Sequence, residues 1–164
     1  MGTAYSPQAW TDLFVASAGA SAALTGLLFV AVSVNISHIL SLPGLPERAL
    51  QTLLLLLSAV VVSLLGLIPG QSDTALGIEL FALGLGFNLW IFLLLARAVP
   101  ATRKYVHPLY QILLVLPGTA PLLIGGISIM AQSGGGLYWI VAGVIGALCG
   151  ASVNAWVLLV EILR

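Results

Sequence analysis

The sequence predicts an all-α integral membrane protein, built as one bundle of five transmembrane helices. Of its 164 residues, 60% are hydrophobic and 6% are charged, whereas a soluble surface needs about a quarter charged residues. The apolar residues also fall into long runs, and a helix needs roughly 20 such residues to cross about 30 Å of hydrocarbon. Because only short segments separate the runs, residues 1–164 make one transmembrane domain without a separate soluble module.

Five segments are long and apolar enough to span a membrane, and helices are the only open-chain structures that satisfy the backbone in lipid. Their approximate bounds are 10–40, 47–68, 74–99, 108–131 and 137–163. The breaks between them contain residues that end helices, namely Pro43, Gly44, Pro46, Pro69, Gly70, Pro100 and Gly134 to Gly136. The first span lacks a basic leader, so it is expected to be retained and not cleaved as a signal peptide.

The basic residues predict the orientation of these spans. When the five spans alternate in direction, every Lys and Arg falls on one side of the membrane: Arg48, Arg97, Arg103, Lys104 and Arg164. The positive-inside rule makes that side the cytoplasm, with the N-terminus outside. Aromatic residues agree, since Tyr5, Trp10, Tyr138 and Trp139 would lie at the outer headgroups. A four-span alternative, with Pro117 and Pro121 breaking the fourth segment into a re-entrant loop, would move the C-terminus and disrupt this charge pattern.

Small residues recur at helical spacing in three of the spans and predict close helix packing, because lipid offers no hydrophobic contrast between helices. The first span contains Ala16, Gly19, Ala23, Gly26 and Ser33. The fifth contains Gly143, Gly146, Ala147, Gly150 and Asn154, and the third contains Gly77, Gly84 and Asn88. The pattern does not say whether each partner helix belongs to the same chain. A bundle of five helices has few faces to bury, so one stripe is expected to form a homo-oligomer interface.

Polar residues within the spans are the candidates for a pore or solute path, because ionisable groups at this depth usually face a cavity or a partner. Glu79 is either a carboxylate near a pore mouth or a side chain that reaches the outer interface. Asn88 and Asn154 are both expected to form hydrogen bonds between helices, and Asn88 is also a candidate to line a path. Glu161 is expected to pair with a basic residue at the cytoplasmic end.

Two further features have both a functional and a structural interpretation. Ser17, Ser21 and Thr25 recur every four residues, so their hydroxyls either line a narrow polar path or bond to the carbonyl four residues earlier. Pro117 and Pro121 predict a kink in the fourth span. Interrupted helices mark solute sites in transporters, but prolines also simply bend membrane helices, and the chain has no convincing internal repeat.

No enzymatic, metal or cofactor motif is present. The chain lacks HExxH, GxSxG and paired intramembrane aspartates, and His38, His107 and Cys149 have no metal-ligand spacing. The net charge of zero argues against nucleic acid as a partner. We therefore expect a non-enzymatic protein without cofactors, whose partners are the lipid bilayer, further copies of itself and possible larger membrane complexes.

The N-terminal segments AWTDLFVASAGASAALTGLLFVAVSVNI and LPGLPERALQTLLLLLSAVVVSLLGLIPGQ resemble small polytopic membrane proteins of actinobacteria and related bacteria. Some of these carry the name of modulators of the FtsH protease. The resemblance covers about the first 70 residues and implies a bacterial inner membrane. It implies no catalytic or binding residues.

Two functions follow as hypotheses. The first is a homo-oligomeric channel or passive conduit for small ions or solutes, with the first helix as its lining and Glu79 near the outer entrance. The second is a non-enzymatic accessory subunit that docks by helix packing on a larger complex, such as a protease or a respiratory assembly. The hydroxyl face, the kinked helix and the buried carboxylate favour the first.

Overall fold

A computed structural model describes residues 3–42, 44–97 and 108–162, and within these ranges the chain is helical with no β-strand. Two short 3-10 helices come first, Thr3–Tyr5 and Pro7–Trp10. They are followed by α1 (Thr11–Val34), α2 (Ile36–Ser41), α3 (Leu45–Gly66), α4 (Asp73–Arg97), α5 (Pro108–Met130) and α6 (Leu137–Ile162). The predicted all-α class is confirmed. The basic loop with Arg103 and Lys104, and the terminal Arg164, lie outside the described residues.

Four helices are long and apolar enough, over their described residues, to cross a membrane. These stretches are Pro7–Val34, Leu45–Gly66, Ile112–Met130 and Leu137–Val160. The fifth long helix, α4, has 25 residues. The four helices are therefore compatible with a membrane protein, while a fifth crossing and the orientation stay predictions.

The first predicted helix is divided at Asn35, which corrects the expectation of one helix over 10–40. Asn35 leaves the helical region (φ −107°, ψ 16°), and its side-chain amide donates to the Ala31 carbonyl at 2.9 Å. Asparagine competes in this way for backbone hydrogen bonds. The short α2 that follows places Ile39 in a small apolar cluster with Leu45 and Leu158.

The long helices form an open row in the order α1, α3, α6, α5, α4, in which neighbours are antiparallel. Phe14 at the start of α1 packs on Gly66 at the end of α3, and Leu55 of α3 lies beside Gly150 of α6. Helix α6 then packs along α5, and α5 along α4. Helices α3 and α4 are joined by a short loop but have little mutual contact. Although α6 and α5 stand between them in the row, α3 and α4 together line one open groove.

Helix α5 is continuous from Pro108 to Met130 although it contains Pro117 and Pro121. The helix is therefore not interrupted at these prolines, whereas the four-span alternative with a re-entrant loop would require an interruption there. Because Pro121 has no N–H, it cannot bond the carbonyl of Pro117, four residues earlier. That carbonyl instead faces the α6 backbone at Gly146, where an added Cβ would overlap it. Such close approach is typical of weak Cα–H···O contacts between helices.

Candidate functional site

The small residues of α6 pack within the chain, against α5. A Cβ added at Gly150 would overlap the Leu114 carbonyl oxygen, and Gly143 lies against Leu122 and Pro121. Ala147 is buried and touches Gly118. This stripe is a contact between α6 and α5, so it is filled before any second chain could use it.

Helix α4 packs on α5 in the same way, through Gly77 and Gly84. An added Cβ at Gly77 would lie 2.9 Å from the Gly126 carbonyl oxygen, and one at Gly84 would lie 3.0 Å from the Leu123 nitrogen. Next along this contact, the Thr119 hydroxyl donates to the Asn88 amide oxygen at 3.2 Å, and the Asn88 amide donates to the Gly84 carbonyl at 2.7 Å. Asn88 thus joins α4 to α5.

A buried polar cluster joins α3 to α6. Arg48 is 5% exposed, and its guanidinium donates to the Asn154 amide oxygen at 3.1 Å. The Asn154 amide donates to the Thr52 hydroxyl and to the Arg48 carbonyl. Arg48 was expected among the cytoplasmic charges, but it lies in the first turn of α3 with its side chain buried against α6. Its partner is 106 residues away in the sequence, so no local pattern could have revealed the pairing. The side chain of Glu161 lies outside the described part.

Two of the three hydroxyls predicted to line a path, those of Ser21 and Thr25 but not that of Ser17, donate to carbonyls of their own helix. The Ser21 hydroxyl donates to the Ser17 carbonyl at 2.6 Å, and the Thr25 hydroxyl donates to the Ser21 carbonyl at 2.7 Å. Ser21 is fully buried, in line along the helix with the buried Phe14 and Leu28. Each of these hydroxyls therefore has a partner within its own helix.

The small-residue stripe of α1, in contrast, has no partner among the described residues. The face toward α3 is defined by the buried residues Phe14, Ser21 and Leu28. Ala16 follows Phe14 by two residues and Ala23 follows Ser21 by two, which places both alanines about 200° around the helix from that face. The stripe residues are all exposed: Ala16, Gly19, Ala23, Gly26, Val30 and Ser33. An added Cβ at Gly19 or Gly26 meets nothing within 4 Å. We call these six residues the α1 outer face. Val30 belongs to it but was missed from sequence because it is not a small residue.

Glu79 lies in the open groove between α3 and α4. Its carboxylate is half-buried and accepts a hydrogen bond from the Gln71 side-chain amide at 2.5 Å. The other lining residues of this groove are almost all apolar, among them Leu54 and Val61 from α3 and Phe87 from α4. Pro117 and Pro121 line a separate shallow depression on the surface of α5.

The predicted path residues thus occupy four different places in a single chain. Ser21 faces α3, Glu79 lines the groove, Asn88 joins α4 to α5, and the prolines lie on α5. Asn154, which was predicted as a packing residue, joins α3 to α6. Aromatic residues predicted at the outer headgroups do come together: the Trp10 and Tyr138 rings meet edge to face at 4.8 Å, and the Tyr5 hydroxyl accepts from the Gly135 N–H at 3.1 Å.

Comparisons with protein-family models, with curated proteins and with solved structures found no match for this chain. Its own geometry therefore carries the functional argument.

Proposed function

We propose that this chain is a multi-pass protein of a bacterial inner membrane that acts as a non-enzymatic accessory subunit and self-associates through α1. Its five helices cross the membrane with the N-terminus outside and the C-terminus in the cytoplasm. The observation that carries the proposal is the α1 outer face, a row of exposed residues, small except for Val30, in which a Cβ added at Gly19 or Gly26 meets no described residue within 4 Å.

The spacing of this face suits a second helix. Its positions follow intervals of three, four, three, four and three residues from Ala16 to Ser33, the pattern of helices that cross at about 20° with a left-handed supercoil. Small residues in this row let two backbones approach closely and gain dispersion contacts that lipid tails do not supply. Copies inserted in the same orientation would place two α1 helices parallel about a two-fold axis, so that each residue meets its counterpart.

Disulfide cross-linking in the membrane tests this interface. The natural Cys149 is first replaced by alanine, and a single cysteine is then placed at Ala23 on the outer face or at Ala22, the exposed neighbour outside that face. A disulfide forms when the two Cα atoms lie within about 7 Å, so A23C should give a covalent dimer and A22C should not. Equal cross-linking of both variants, or of neither, would contradict the α1 interface.

The conduit predicted from the sequence receives less support from the geometry. The Ser21 and Thr25 hydroxyls are bonded to their own helix, and Glu79 lines a groove in which α1 takes no part. Conduction would therefore require an assembly that brings separate faces together. The conduit hypothesis predicts ionic currents across bilayers that contain the reconstituted protein, and Glu79→Gln should abolish them. Oligomers that carry no current would leave the accessory role as the function that the geometry supports.

A further inference from the structure

The groove between α3 and α4 is a second surface that no described helix of the chain fills. It has a volume of about 790 Å³ and is open along its length. Ligand sites commonly measure about 300–1,000 Å³. It exists because α3 packs on α1 and α6 while α4 packs on α5, so the two helices that bound it barely touch.

The groove is long enough to hold a lipid acyl chain: along α3 its lining runs from Leu50 to Leu65, and fifteen residues of helix rise about 22 Å. Along α4 its lining runs from Glu79 to Trp90, and eleven residues of helix rise about 16 Å. Both lengths exceed half of a hydrocarbon core of about 30 Å, which is the depth that the chains of one leaflet occupy. Glu79 lies six residues beyond Asp73, the first residue of α4, which is about 9 Å of helix. One end of the groove is therefore close to the headgroups when α4 crosses the membrane.

The groove has one ionisable lining residue, Glu79, at this end. Within the described ranges, the Gln71 amide is the one side chain that forms a hydrogen bond with its carboxylate, and no basic side chain pairs with it there. A carboxylate in this setting favours a cationic partner that also donates hydrogen bonds.

We propose that the groove binds an acyl chain of a phospholipid with a primary ammonium headgroup, and that Glu79 pairs with this ammonium. A groove open to hydrocarbon fills with lipid chains, because they are the solvent there. Glu79 then selects the headgroup by its positive charge and by its N–H donors, and a primary ammonium has both. A choline headgroup has the positive charge but no N–H donor, and a glycerol headgroup has no positive charge. The site depends on the membrane placement proposed above and not on α1 self-association.

Native mass spectrometry of the full chain in mild detergent tests the site. The micelles contain equal amounts of ethanolamine, choline and glycerol phospholipids with identical acyl chains. The protein should retain the ethanolamine lipid about three- to fivefold over the choline lipid, as a half-exposed ion pair provides. Glu79→Gln should abolish this preference. Glu47→Gln, which makes the same charge change at an exposed position in the first turn of α3, should preserve it.

A groove-filling variant separates chain binding from headgroup selection. Gly86 lines the groove, and an added Cβ there meets nothing within 4 Å, so Gly86→Phe occupies the space without disturbing the helix contacts. It should lower retention of all three lipids at least twofold. Equal retention of the three lipids by the unaltered protein would overturn the proposal. So would a preference that survives Glu79→Gln, or retention unchanged by Gly86→Phe, whatever α1 cross-linking shows.

Discussion

Glycine has opposite roles at different positions in this chain. At Gly146 and Gly150 the absence of a side chain allows α5 carbonyls to touch the α6 backbone, whereas Gly19, Gly26 and Gly86 stand beside open space. The sequence places all of these in similar apolar surroundings, so it cannot tell the two groups apart. Only the positions of the neighbouring helices decide which glycines are structural.

Replacing Gly150 with alanine should therefore destabilise the protein, while the same change at Gly86 should not. The new Cβ at Gly150 overlaps the Leu114 carbonyl, and overpacking of this kind costs about 1–3 kcal/mol. At Gly86 the higher helix propensity of alanine should leave stability unchanged or raise it by up to about 1 kcal/mol. Unfolding of both variants by SDS titration in mixed micelles measures the difference. Equal stability of the two would contradict the assigned α5–α6 contact.

Asn154 should be the polar residue of α6 that contributes most to stability. Asn154→Ala removes the bonds to Arg48 and Thr52 from a buried site, which should cost roughly 1–2 kcal/mol. Ser152→Ala is the matched control on the same helix, because Ser152 is exposed and bonds only the Leu148 carbonyl of its own helix. Its effect should stay below about 0.5 kcal/mol. If the same unfolding assay gave equal stability for Asn154→Ala and Ser152→Ala, the polar cluster between α3 and α6 would be contradicted.

Helix α1 is an edge element, attached to the bundle mainly through α3. Of the residues in an 18-residue apolar stretch, 17% are buried in the N-terminal span that contains α1, compared with 56% in α3. Phe14 provides much of the attachment, since its ring is 3% exposed and fills the space beside Gly66. An edge helix with a small-residue outer face is suited to recruiting another chain.

Truncating Phe14 should loosen α1 selectively. Phe14→Ala should lower the unfolding free energy by roughly 1–2 kcal/mol, less than the 3–5 kcal/mol of a soluble core because lipid tails replace part of the lost contact. It should also speed amide hydrogen exchange in α1 more than in α5 or α6. Phe29→Ala, at a side chain that is 63% exposed, should do neither. Uniform exchange across all helices in Phe14→Ala would contradict the edge position of α1.

The elements were largely predictable because apolar runs of membrane length and proline or glycine breaks are local signals. The described ends of α3, α5 and α6 lie within about two residues of the predicted bounds. The division at Asn35 was missed because the apolar pattern continues across it. The burial of Arg48 was missed because its partner Asn154 lies on a distant helix.

The candidate site was less predictable than the helices. Spacing identified Gly19, Ala23 and Gly26 as a packing stripe, but only the order of the helices shows that this stripe is left open while that of α6 is filled. Glu79 was singled out by its charge in an apolar segment. The groove that it lines results from α3 and α4 packing on different neighbours, which no residue pattern encodes.

At the scale of the whole molecule, the antiparallel row places the chain's turns at two ends. The N-terminal 3-10 helices and the α5–α6 turn meet at one end, where Tyr5 bonds Gly135. Gln132 in that turn also bonds Asp73 at the start of α4, at 3.3 Å. The other end contains α2, the start of α3 and the end of α6. The proposed interface and the proposed lipid site both depend on this arrangement crossing a bilayer five times.

Labelling of intact cells with a membrane-impermeant maleimide tests that arrangement most directly. In the Cys149→Ala background, single cysteines replace the exposed Ser133 or Ser41, at opposite ends of the bundle, and a protease-sensitive tag follows Arg164. We predict that S133C is labelled from outside, that S41C is labelled only after lysis, and that the tag resists external protease. Labelling of both cysteines from one side, or a C-terminal tag exposed on the same side as S133C, would contradict the five-crossing topology.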